Sequence, residues 1–399
     1  MDTATGNEVK CVELFAGAGG AALGLEAAGF EHLALVEWDA DACATLRAAG
    51  LGPVVEGDVR DLGTLPVAAC DLLWSSFPCQ AWSTAGKRRG AEDERNGWPW
   101  TVAAIDHLSP RWFLGENVRG LTYHRGGCPH KGGQPILLGA TDPRLCPGCY
   151  LERVIVPELA SRFTHAGYWV LDAADYGVPQ HRRRVILWAG PTKLEAPTPT
   201  HGPGRPQPFV SMGEALGLSE QRVIGGGRNP GEAGAMDRRH RDLTDEPSTT
   251  VAAVQIGNAG PWVMSHSRNT AANPSQERVT PSSEPAPAVG GKGNQMVAWS
   301  AKPAPTVAGG QGGKGCGQVS ANAGTRARLE PELMAATGRR RLTVKECAKL
   351  QAFPDDHPWQ GTKTSQYSQV GNAVPPTLAA VVARTIVLAD PRLLADPSL

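Results

Sequence analysis

The sequence predicts an α/β fold: a parallel sheet with helices on its faces, joined to a smaller, irregular β-rich domain. Three observations predict it. Short apolar runs alternate with helix-like stretches over residues 9–190, glycine and proline concentrate in residues 192–338, and ordered patterns return at Arg339. Such alternation is typical of a parallel sheet covered by helices, and 399 residues suffice for about two domains.

Six apolar runs predict the strands of this sheet. They are Val9–Phe15, Leu33–Val36, Leu72–Ser75, Trp112–Leu114, Tyr168–Leu171 and Val185–Trp188. Helix-like composition predicts helices over Ala21–Ala28 and Asp41–Ala49. Beyond Arg339, Thr343 and Glu346 have the spacing of a capping box, and Pro376 fits the first turn of a last helix that runs to about Ala389.

Residues 192–338 differ in composition from the sequence on either side. Of these 147 residues, 22 are glycine and 15 are proline. A short proline-containing phrase recurs three times, beginning at Glu246, Glu284 and Lys302, and its copies are 38 and 18 residues apart, which is too irregular for a solenoid. We interpret the segment as a β-rich domain in which these phrases lead into strands. A low-complexity linker is the alternative.

Composition and charge exclude several classes of protein. The 39 basic and 39 acidic side chains give no net charge, which argues against a polycation but is compatible with a local basic cleft. The first residues lack the pattern of a signal peptide, and no window of 18 uninterrupted apolar residues predicts a transmembrane helix. Nine cysteines, an odd number in a long chain, are typical of a reducing compartment, so we expect a cytoplasmic protein.

The loop between the first predicted strand and the first predicted helix is rich in glycine. Gly17, Gly19 and Ala22 have the G-x-G-x-x-G/A spacing that lets backbone approach a nucleotide closely. Glu37 stands 20 residues after Gly17, where a carboxylate can bind ribose hydroxyls, and Trp38 beside it can stack on adenine. These residues predict a site for an adenosine cofactor, either a dinucleotide or another one. A purely structural glycine turn is the alternative.

Polar residues from three segments are predicted to meet at one edge of the sheet. Cys79 lies on a proline-stiffened loop after a strand, Glu116 and Asn117 follow the next strand, and Arg182 and Arg184 precede a third. Ligands gather at the carboxyl ends of strands in open α/β sheets. A thiolate there can act as a nucleophile when a neighbour lowers its pKa or takes up the charge of its adduct. Each residue alone would be an inert cysteine or a solvated charge, so the prediction depends on their convergence.

An insertion at residues 124–150 contains cysteines with the spacing of metal ligands. Cys128 and His130 are separated by 15 residues from Cys146, which opens the run Cys-Pro-Gly-Cys that ends at Cys149. Such a knuckle is typical of zinc sites, so we expect these four residues to bind zinc, with His124 as the alternative to His130. Free surface thiols are the other interpretation.

The ordered motifs resemble those of the DNA cytosine-5 methyltransferase family, which takes its methyl group from S-adenosylmethionine (AdoMet). The matching phrases are Phe15–Gly20, Glu37–Asp39, Gly57-Asp58, Phe77–Gln80, Glu116–Val118, Gly177–Gln180 with Arg182 and Arg184, Arg341–Pro354, and Gly371–Pro375. The resemblance implies a Rossmann-like methyltransferase sheet with a smaller, irregular β-rich target-recognition domain. The catalytic domain would comprise residues 1–191 and 339–399, with the target-recognition domain at 192–338 between them.

The resemblance also implies a chemistry. It is transfer of the methyl group to carbon 5 of a flipped-out cytosine in a specific duplex sequence, through an adduct of Cys79 with carbon 6. Glu116 would bind and protonate ring nitrogen 3, and Arg182 and Arg184, together with Asn117, would position the base and the loops around it. The residues implied around AdoMet are Phe15, Gly17, Gly19, Glu37, Trp38, Asp58, Pro78, Asn372 and Ala373. A nicotinamide cofactor is disfavoured because the cysteine loop has no role in hydride transfer.

Base flipping requires a cleft whose walls bind phosphates. Basic triplets stand beside motifs at residues 87–89, 182–184 and 339–341. The residues expected to contact DNA are Gln80, Ser83, Lys87, Arg88, Arg89, Asn117, Gln180, Arg183 and Arg340. An RNA cytosine-5 methyltransferase and a catalytically silent DNA-binding relative are the alternatives. We expect a bacterial or phage enzyme that is monomeric, cytoplasmic and associated with the nucleoid, with a cognate restriction endonuclease as a candidate partner.

Overall fold

The structure, a computed structural model, describes residues 9–61, 63, 65–78, 96–124, 128, 146–217 and 339–390, with short strands at 222–225, 241–242, 248–249 and 295–298. Seven strands of the described residues form the main sheet: β1 (Val9–Leu14), β2 (Phe30–Glu37), β3 (Val54–Glu56), β4 (Leu72–Ser75), β5 (Trp112–Val118), β6 (His165–Asp172) and β8 (Arg183–Gly190). Their order is β3-β2-β1-β4-β5-β8-β6. All six predicted strands are confirmed, and β3 is additional.

The direction of β8 differs from the prediction of a parallel sheet. Strands β1 to β5 run parallel to one another, whereas β8 is antiparallel to both β5 and β6. Residues 173–182, which join β6 to β8, hold only a 3-10 turn and the two-residue strand β7 (Gln180–His181). A parallel crossover needs a dozen or more residues, so this connection is too short to carry the chain back across the sheet.

Nine α-helices are described. They are α1 (Gly20–Glu26), α2 (Ala40–Ala48), α3 (Trp98–Leu108), α4 (Pro147–Tyr150), α5 (Val156–Ala160), α6 (Met212–Leu216), α7 (Val344–Lys349), α8 (Lys363–Asn372) and α9 (Pro376–Ala389). A π-helical turn over Leu151–Ile155 joins α4 to α5. Thr343 and Glu346 form the predicted capping box at the start of α7, and α9 has its predicted bounds.

The main sheet buries side chains on both faces, because successive residues of a strand point to opposite sides. Trp112 and Leu114 of β5 pack on the side of α1 and α9, where Leu25 and Leu378 lie. Phe113 points the other way, towards α3 and α5. Helices therefore cover both faces, as the sequence predicts, and the strand ends are left for the functional site.

The segment Lys363–Ala389, which comprises α8 and α9, has the length and hydropathy of a membrane span, with a mean hydropathy of 1.4. Its backbone leaves helical geometry at Ala373, where ψ is 149°. Leu378, Val382 and Ile386 of α9 are buried in the core beside the sheet. Packing within the protein accounts for the apolar character of this segment.

A second sheet lies largely in the segment rich in glycine and proline. Its order is β10 (Arg241–Asp242), β9 (Arg222–Gly225), β12 (Gln295–Ala298) and β13 (Arg339–Arg341), and all of its pairings are antiparallel. This sheet extends past residue 338, the boundary predicted from composition. Strand β11 (Ser248–Thr249), within the first repeated phrase, pairs with β7; the other two copies lie outside the described residues.

Candidate active site

The strand order creates a crevice between β1 and β4. Strands β2 and β3 lie on one side of β1, and β5 lies beyond β4, so the connections that leave β1 and β4 diverge. Ligands bind at such switch points, outside the carboxyl ends of the strands. The N–H of Ser76, just after β4, donates to the carbonyl of Leu14 at the end of β1. The predicted cofactor loop and the predicted cysteine loop therefore begin side by side.

The glycine loop after β1 is tied to the end of β2. Gly17 and Gly19 have positive φ angles of 55° and 86°, which favour glycine. The N–H of Gly17 donates to Oε2 of Glu37 at 2.8 Å, and Oε1 accepts from the N–H groups of Trp38 and Asp39, each at 2.8 Å. Burial raises the pKa of Glu37, and these backbone donors partly offset the rise. The carboxylate is thus fixed at the mouth of the crevice.

Other predicted cofactor residues stand at the same ends of the strands. The Trp38 side chain is 76% exposed, so its ring faces solvent. Asp58 follows β3 and accepts from the backbone N–H and the Nε of Arg60, both at 2.9 Å, and this arginine lowers the pKa of Asp58. Asn372 is exposed at the end of α8, and Ala373 after it is buried.

Two buried side chains hold the C-terminal segment against this region. Nε2 of His357 donates to the carbonyl of Ala18, in the glycine loop, at 3.1 Å. The guanidinium of Arg182 donates to the carbonyls of Gly371 and Ala373, at 2.9 and 2.7 Å. The two ends of the described chain therefore meet at the cofactor crevice.

An ion pair joins β5 to β8 at the same edge. Oε1 of Glu116 lies 2.6 Å from Nε of Arg184, and both side chains are buried. The antiparallel register sets Arg184 opposite Val118, so Glu116 is its diagonal neighbour on one face. The pair thus depends on the antiparallel direction of β8, and it fixes the orientation of the Glu116 carboxylate.

Asn117 tethers the start of the cysteine loop. Its side chain is buried, and Nδ2 donates to the carbonyl of Phe77 at 3.0 Å while Oδ1 accepts from the N–H of Val118 at 2.9 Å. Phe77 precedes Cys79 by two residues. The sequence analysis expects Asn117 at the DNA; the structure places its amide against the loop.

The three predicted residues around β7 differ in exposure. Arg182 is fully buried and donates to the carbonyls of Gly371 and Ala373, so it holds a neighbouring segment, whereas Arg184 pairs with Glu116. Arg183 is exposed, and its Nε lies 3.2 Å from the carboxylate of Asp172.

Gln180 is fully buried, and within the described residues neither polar atom of its amide has a hydrogen-bond partner. Leaving a buried amide unpaired costs about 1–3 kcal/mol. A polar group that hydrogen-bonds to Gln180 would relieve this cost without displacing water from the amide.

Several predicted site residues lie outside the described residues: Cys79, Gln80, Ser83, Lys87, Arg88, Arg89 and His130. Arg340 is described by its backbone, which pairs with Val297 of β12.

The two ends of the loop that contains Cys79 lie against each other. A Cβ on Gly97 would stand 2.6 Å from Cδ of Pro78 and 3.0 Å from Cζ of Phe15, so glycine is required at this contact. The structure therefore fixes the start of the loop and its end in one place, beside the cofactor crevice.

Three residues that hold the far end of this loop carry no sequence signal. Nδ2 of Asn96 donates to the hydroxyl of Tyr150 at 2.9 Å, and the indole N–H of Trp98 donates to Glu158 at 2.5 Å. Sequence reasoning missed Asn96, Tyr150 and Glu158, because each bond joins residues more than 50 positions apart.

A thiol-rich cluster lies beside α4. One ligand atom from each of His124, Cys128, Cys146 and Cys149 lies within 4.8 Å of the others, and the three cysteines are buried. The structure thus brings together three predicted metal ligands with His124, the alternative histidine. The Sγ atoms of Cys128 and Cys149 are 3.2 Å apart, well beyond a disulfide bond of about 2.05 Å.

Comparison with known proteins identifies the family. The sequence profile described as C-5 cytosine-specific DNA methylase matches residues 9–137 and 152–388. The chain belongs to this family. The DNA methyltransferase is 32% identical to Type II methyltransferase M.NgoMIV of Neisseria gonorrhoeae, over 95% of this chain and 97% of that protein. It is 30% identical to Type II methyltransferase M.Eco47II of Escherichia coli, over 97% and 81%.

Solved structures confirm the fold of the methyltransferase. The S. pombe Dnmt2 methyltransferase superposes with a TM-score of 0.51 at 15% identity, covering 98% of this chain and 100% of its own. The Entamoeba histolytica methyltransferase EhMeth superposes with a TM-score of 0.52 at 13% identity, covering 96% and 99%. The predicted Rossmann-like α/β fold is therefore confirmed.

Family membership gives the reaction. The enzyme is a DNA (cytosine-5-)-methyltransferase, which transfers a methyl group from AdoMet to carbon 5 of cytosine in duplex DNA. The sequence-based prediction of family and activity is confirmed. Residues 138–151, which contain Cys146 and Cys149, lie outside the family profile.

Proposed function

We propose that this methyltransferase flips a cytosine out of a specific duplex sequence and activates it through Cys79, with Glu116 and Arg184 as its partners. The buried Glu116–Arg184 ion pair, beside a loop whose two ends are fixed, is the observation that carries the proposal. A base must leave the stack before a side chain can reach its ring carbons.

The residues around the crevice fit AdoMet. The desolvated Glu37 carboxylate suits ribose hydroxyls, and the backbone of Gly17 and Gly19 leaves room for close approach. Trp38 would stack on the adenine, Asp58 would accept from its amino group, and Phe15, Pro78, Asn372 and Ala373 would enclose the remainder. When bound, AdoMet supplies an electrophilic methyl group on a sulfonium sulfur.

Cys79 makes carbon 5 of the cytosine nucleophilic. Its thiolate would add to carbon 6 and leave an enamine whose carbon 5 forms the new bond to the methyl group as the bond between that methyl group and the sulfonium sulfur breaks. Loss of the carbon 5 proton, expulsion of the thiolate and return of the nitrogen 3 proton to the Glu116 carboxylate would then restore the neutral ring and its double bond between carbons 5 and 6. No negative charge accumulates on the ring if nitrogen 3 is protonated at the first step.

Glu116 is proposed to provide that proton and to hold nitrogen 3. Arg184 keeps the carboxyl group oriented and contacts the base beside it. Arg182 and Asn117 act as positioning residues, because they bind the 371–373 segment and the start of the cysteine loop. The Gln180 amide, which has no hydrogen-bond partner among the described residues, would bind the nucleic acid or the cysteine loop.

The remaining parts of the proposal concern recognition and partners. Residues 192–338 would form the target-recognition domain between catalytic parts 1–191 and 339–399, and phosphates would be bound by Gln80, Ser83, Lys87, Arg88, Arg89, Arg183 and Arg340. A zinc ion, bound by the cysteines of the insertion and one histidine, would be a second cofactor. The enzyme would act as a monomer in the cytoplasm, at the nucleoid, alongside a cognate restriction endonuclease.

A trapping experiment tests the nucleophile. Bisulfite sequencing of DNA from an expressing host gives the target site, and a duplex with 5-fluorocytosine at that site should trap Cys79, because the fluorine cannot leave as the carbon 5 proton does. We expect Cys79→Ala to abolish both methyl transfer and the trapped adduct while the Kd for AdoMet stays the same.

Cys70→Ser is the matched control, since Cys70 is a partly buried thiol outside the proposed site; it should retain transfer and trapping. Methyl transfer by Cys79→Ala would refute the mechanism. Transfer to tRNA in place of DNA would support the RNA alternative, and DNA binding without transfer would support a silent relative.

A further inference from the structure

The nitrogen–sulfur distances within the thiol-rich cluster are those of a tetrahedral zinc site, whereas the Sγ atoms of Cys128 and Cys149, 3.2 Å apart, lie closer than the ~3.8 Å between two zinc-bound sulfurs. Nδ1 of His124 lies 3.6, 3.8 and 3.5 Å from the Sγ atoms of Cys128, Cys146 and Cys149. Zinc bonds of about 2.3 Å to sulfur and 2.0–2.1 Å to nitrogen, at tetrahedral angles, set nitrogen and sulfur about 3.6 Å apart. All three separations lie close to this value, so a zinc ion fits among the four atoms.

The surroundings of His124 support Nδ1 as the ligand atom. Its other ring nitrogen, Nε2, lies 3.4 Å from Oε1 of Glu152, in the arrangement by which a carboxylate orients a zinc-binding histidine. A Cβ on Gly148 would stand 2.6 Å from Nε2, so the glycine of the Cys-Pro-Gly-Cys turn makes room for the ring. Both contacts place the imidazole over the three thiols.

We infer that His124, Cys128, Cys146 and Cys149 bind a structural zinc ion, and that this ion fixes the far end of the loop that contains Cys79. The three sulfur ligands are buried and His124 is half-buried, and this donor set of three sulfurs and one nitrogen favours zinc over harder cations. Four protein ligands close the site, as in structural zinc sites. The second part of the inference rests on the proposed function of Cys79.

The zinc ligands are connected to the loop by short steps. Cys149 is followed in α4 by Tyr150, whose hydroxyl accepts from Asn96, the first described residue after the loop. Glu158 in α5 accepts from Trp98, two residues further on. These contacts therefore connect the proposed zinc ligands, through α4 and α5, to the end of the cysteine loop.

The other side of the cluster leads back to β5. Residues Arg119–Thr122 form a 3-10 turn directly after β5, and His124 follows this turn. The N–H of Gly148 donates to the carbonyl of Tyr123 at 3.1 Å. The ion would therefore join two segments. One follows β5, the strand of Glu116, and the other is α4, whose Tyr150 binds the far end of the cysteine loop.

The ion would support the start of a longer helical segment, in which α4, the π-helical turn and α5 follow one another. Tyr150 and Leu151 pack in the apolar core, but the three buried cysteines before and within α4 would face one another without the ion, and the contacts of Tyr150 and Glu158 would loosen. Most of the AdoMet crevice is built by β1, β2 and β4, although Gly97 at the end of the loop contacts it through Phe15 and Pro78. The Kd for AdoMet should therefore stay nearly the same.

Metal content tests the ligand set in the purified full chain without DNA. We expect about one zinc ion per chain by mass spectrometry, and a cobalt-substituted protein with the absorption of tetrahedral thiolate ligation. His124→Ala and Cys146→Ser should lose the metal, whereas the matched controls His130→Ala and Cys70→Ser should keep it.

Three results would overturn the ligand set. They are zinc below about a tenth of an equivalent, retention of zinc by His124→Ala with loss in His130→Ala, and a Cys128–Cys149 disulfide found by counting thiols in denaturant.

Loop anchoring is tested on variants that keep or lose the ion. Cys146→Ser should slow single-turnover transfer at saturating AdoMet by roughly 10- to 100-fold, with a nearly unchanged Kd for AdoMet and faster tryptic cleavage at residues 87–89. Tyr150→Phe should keep the zinc and reproduce part of the effect.

Normal transfer and normal cleavage without zinc would refute anchoring and leave the proposed function standing. A zinc-loaded chain that methylates no DNA would refute the function and leave the zinc site standing.

Discussion

At the scale of single residues, Glu37 shows two opposing effects on one carboxylate. Three backbone N–H groups bind its oxygens and favour the charged form, while burial at the end of β2 disfavours it. Burial prevails, and the pKa of Glu37 lies above its ordinary value. The carboxylate therefore takes up a proton at a higher pH than an exposed glutamate.

AdoMet binding should therefore depend on pH through Glu37. As the pH falls through the raised pKa, the carboxylate is protonated and loses its capacity to accept from ribose hydroxyls, so the Kd for AdoMet should rise as the pH is lowered from neutral towards 4.5, the ordinary glutamate value. Glu37→Gln should bind weakly throughout, with a flatter profile, by isothermal titration calorimetry. Glu56→Gln, at the end of the neighbouring β3, is the matched control. A wild-type Kd that does not change over this range would contradict the prediction.

Individual residues also mark the limit of what the sequence can predict in the site. Spacing predicts that Glu116 and the arginines meet, but it does not say which guanidinium faces the carboxylate. That is decided by the short turn into β8, which buries Arg182 and directs Arg184 to Glu116. Likewise, the sequence offers two histidines to the cysteine cluster, and the 3-10 turn after β5 delivers His124.

At the scale of elements, the segment between α7 and α8 supports the glycine loop through one buried ring. Nε2 of His357 must carry a hydrogen, because the carbonyl of Ala18 can only accept. Burial lowers the pKa of His357; the bond to Ala18 and the nearby Asp356 oppose the shift without cancelling it. The neutral ring is therefore the form that stabilises the fold.

Stability should fall in mild acid for this reason. Between the folded pKa of His357 and the ordinary value of 6.5, the unfolded chain binds more protons than the folded one, so the free energy of unfolding declines as the pH drops below about 6.5. His357→Gln can still donate to Ala18 and does not titrate, so its decline from pH 7 to about pH 5 should be shallower in urea titrations. His107→Gln, at an exposed site on α3, should keep the wild-type slope. Equal slopes for His357→Gln and wild type would refute this assignment.

Element types were predictable from local sequence, whereas pairing direction was not. Apolar runs identify β1, β4 and β8 because their residues are buried on both faces of the sheet. The same pattern carries no information on whether β8 runs with or against β5. The three-residue strand β3 has no fully buried residue, so no apolar run marks it.

At the scale of the whole molecule, Arg182 joins two segments that are far apart in sequence. Its guanidinium binds carbonyls 189 and 191 residues further along the chain. No pattern in either part predicts this contact, because both acceptors are backbone atoms. The buried arginine therefore stabilises the packing of residues 371–373 in the fold, in addition to any role in catalysis.

Removing this guanidinium should destabilise the enzyme. Arg182→Met leaves two buried carbonyls without donors, so we expect the free energy of unfolding to fall by about 2–4 kcal/mol. Arg183→Met, at the exposed neighbouring position, should change it by less than about 0.5 kcal/mol. Chemical denaturation of the two variants makes the comparison, and equal stabilities would show that Arg182 has no such role.

The meeting of the glycine loop with residues 357–373 at the cofactor crevice has a consequence for synthesis. A nascent chain that has emerged as far as residue 338 carries the glycine loop, Cys79 and the strand of Glu116, but it lacks His357, Gly371 and Ala373, whose contacts support this region. We therefore expect a chain to gain activity only after residues 357–373 have also been made. A fragment released by a ribosome that stalls in the middle segment should show no methyl transfer, rather than transfer with altered specificity.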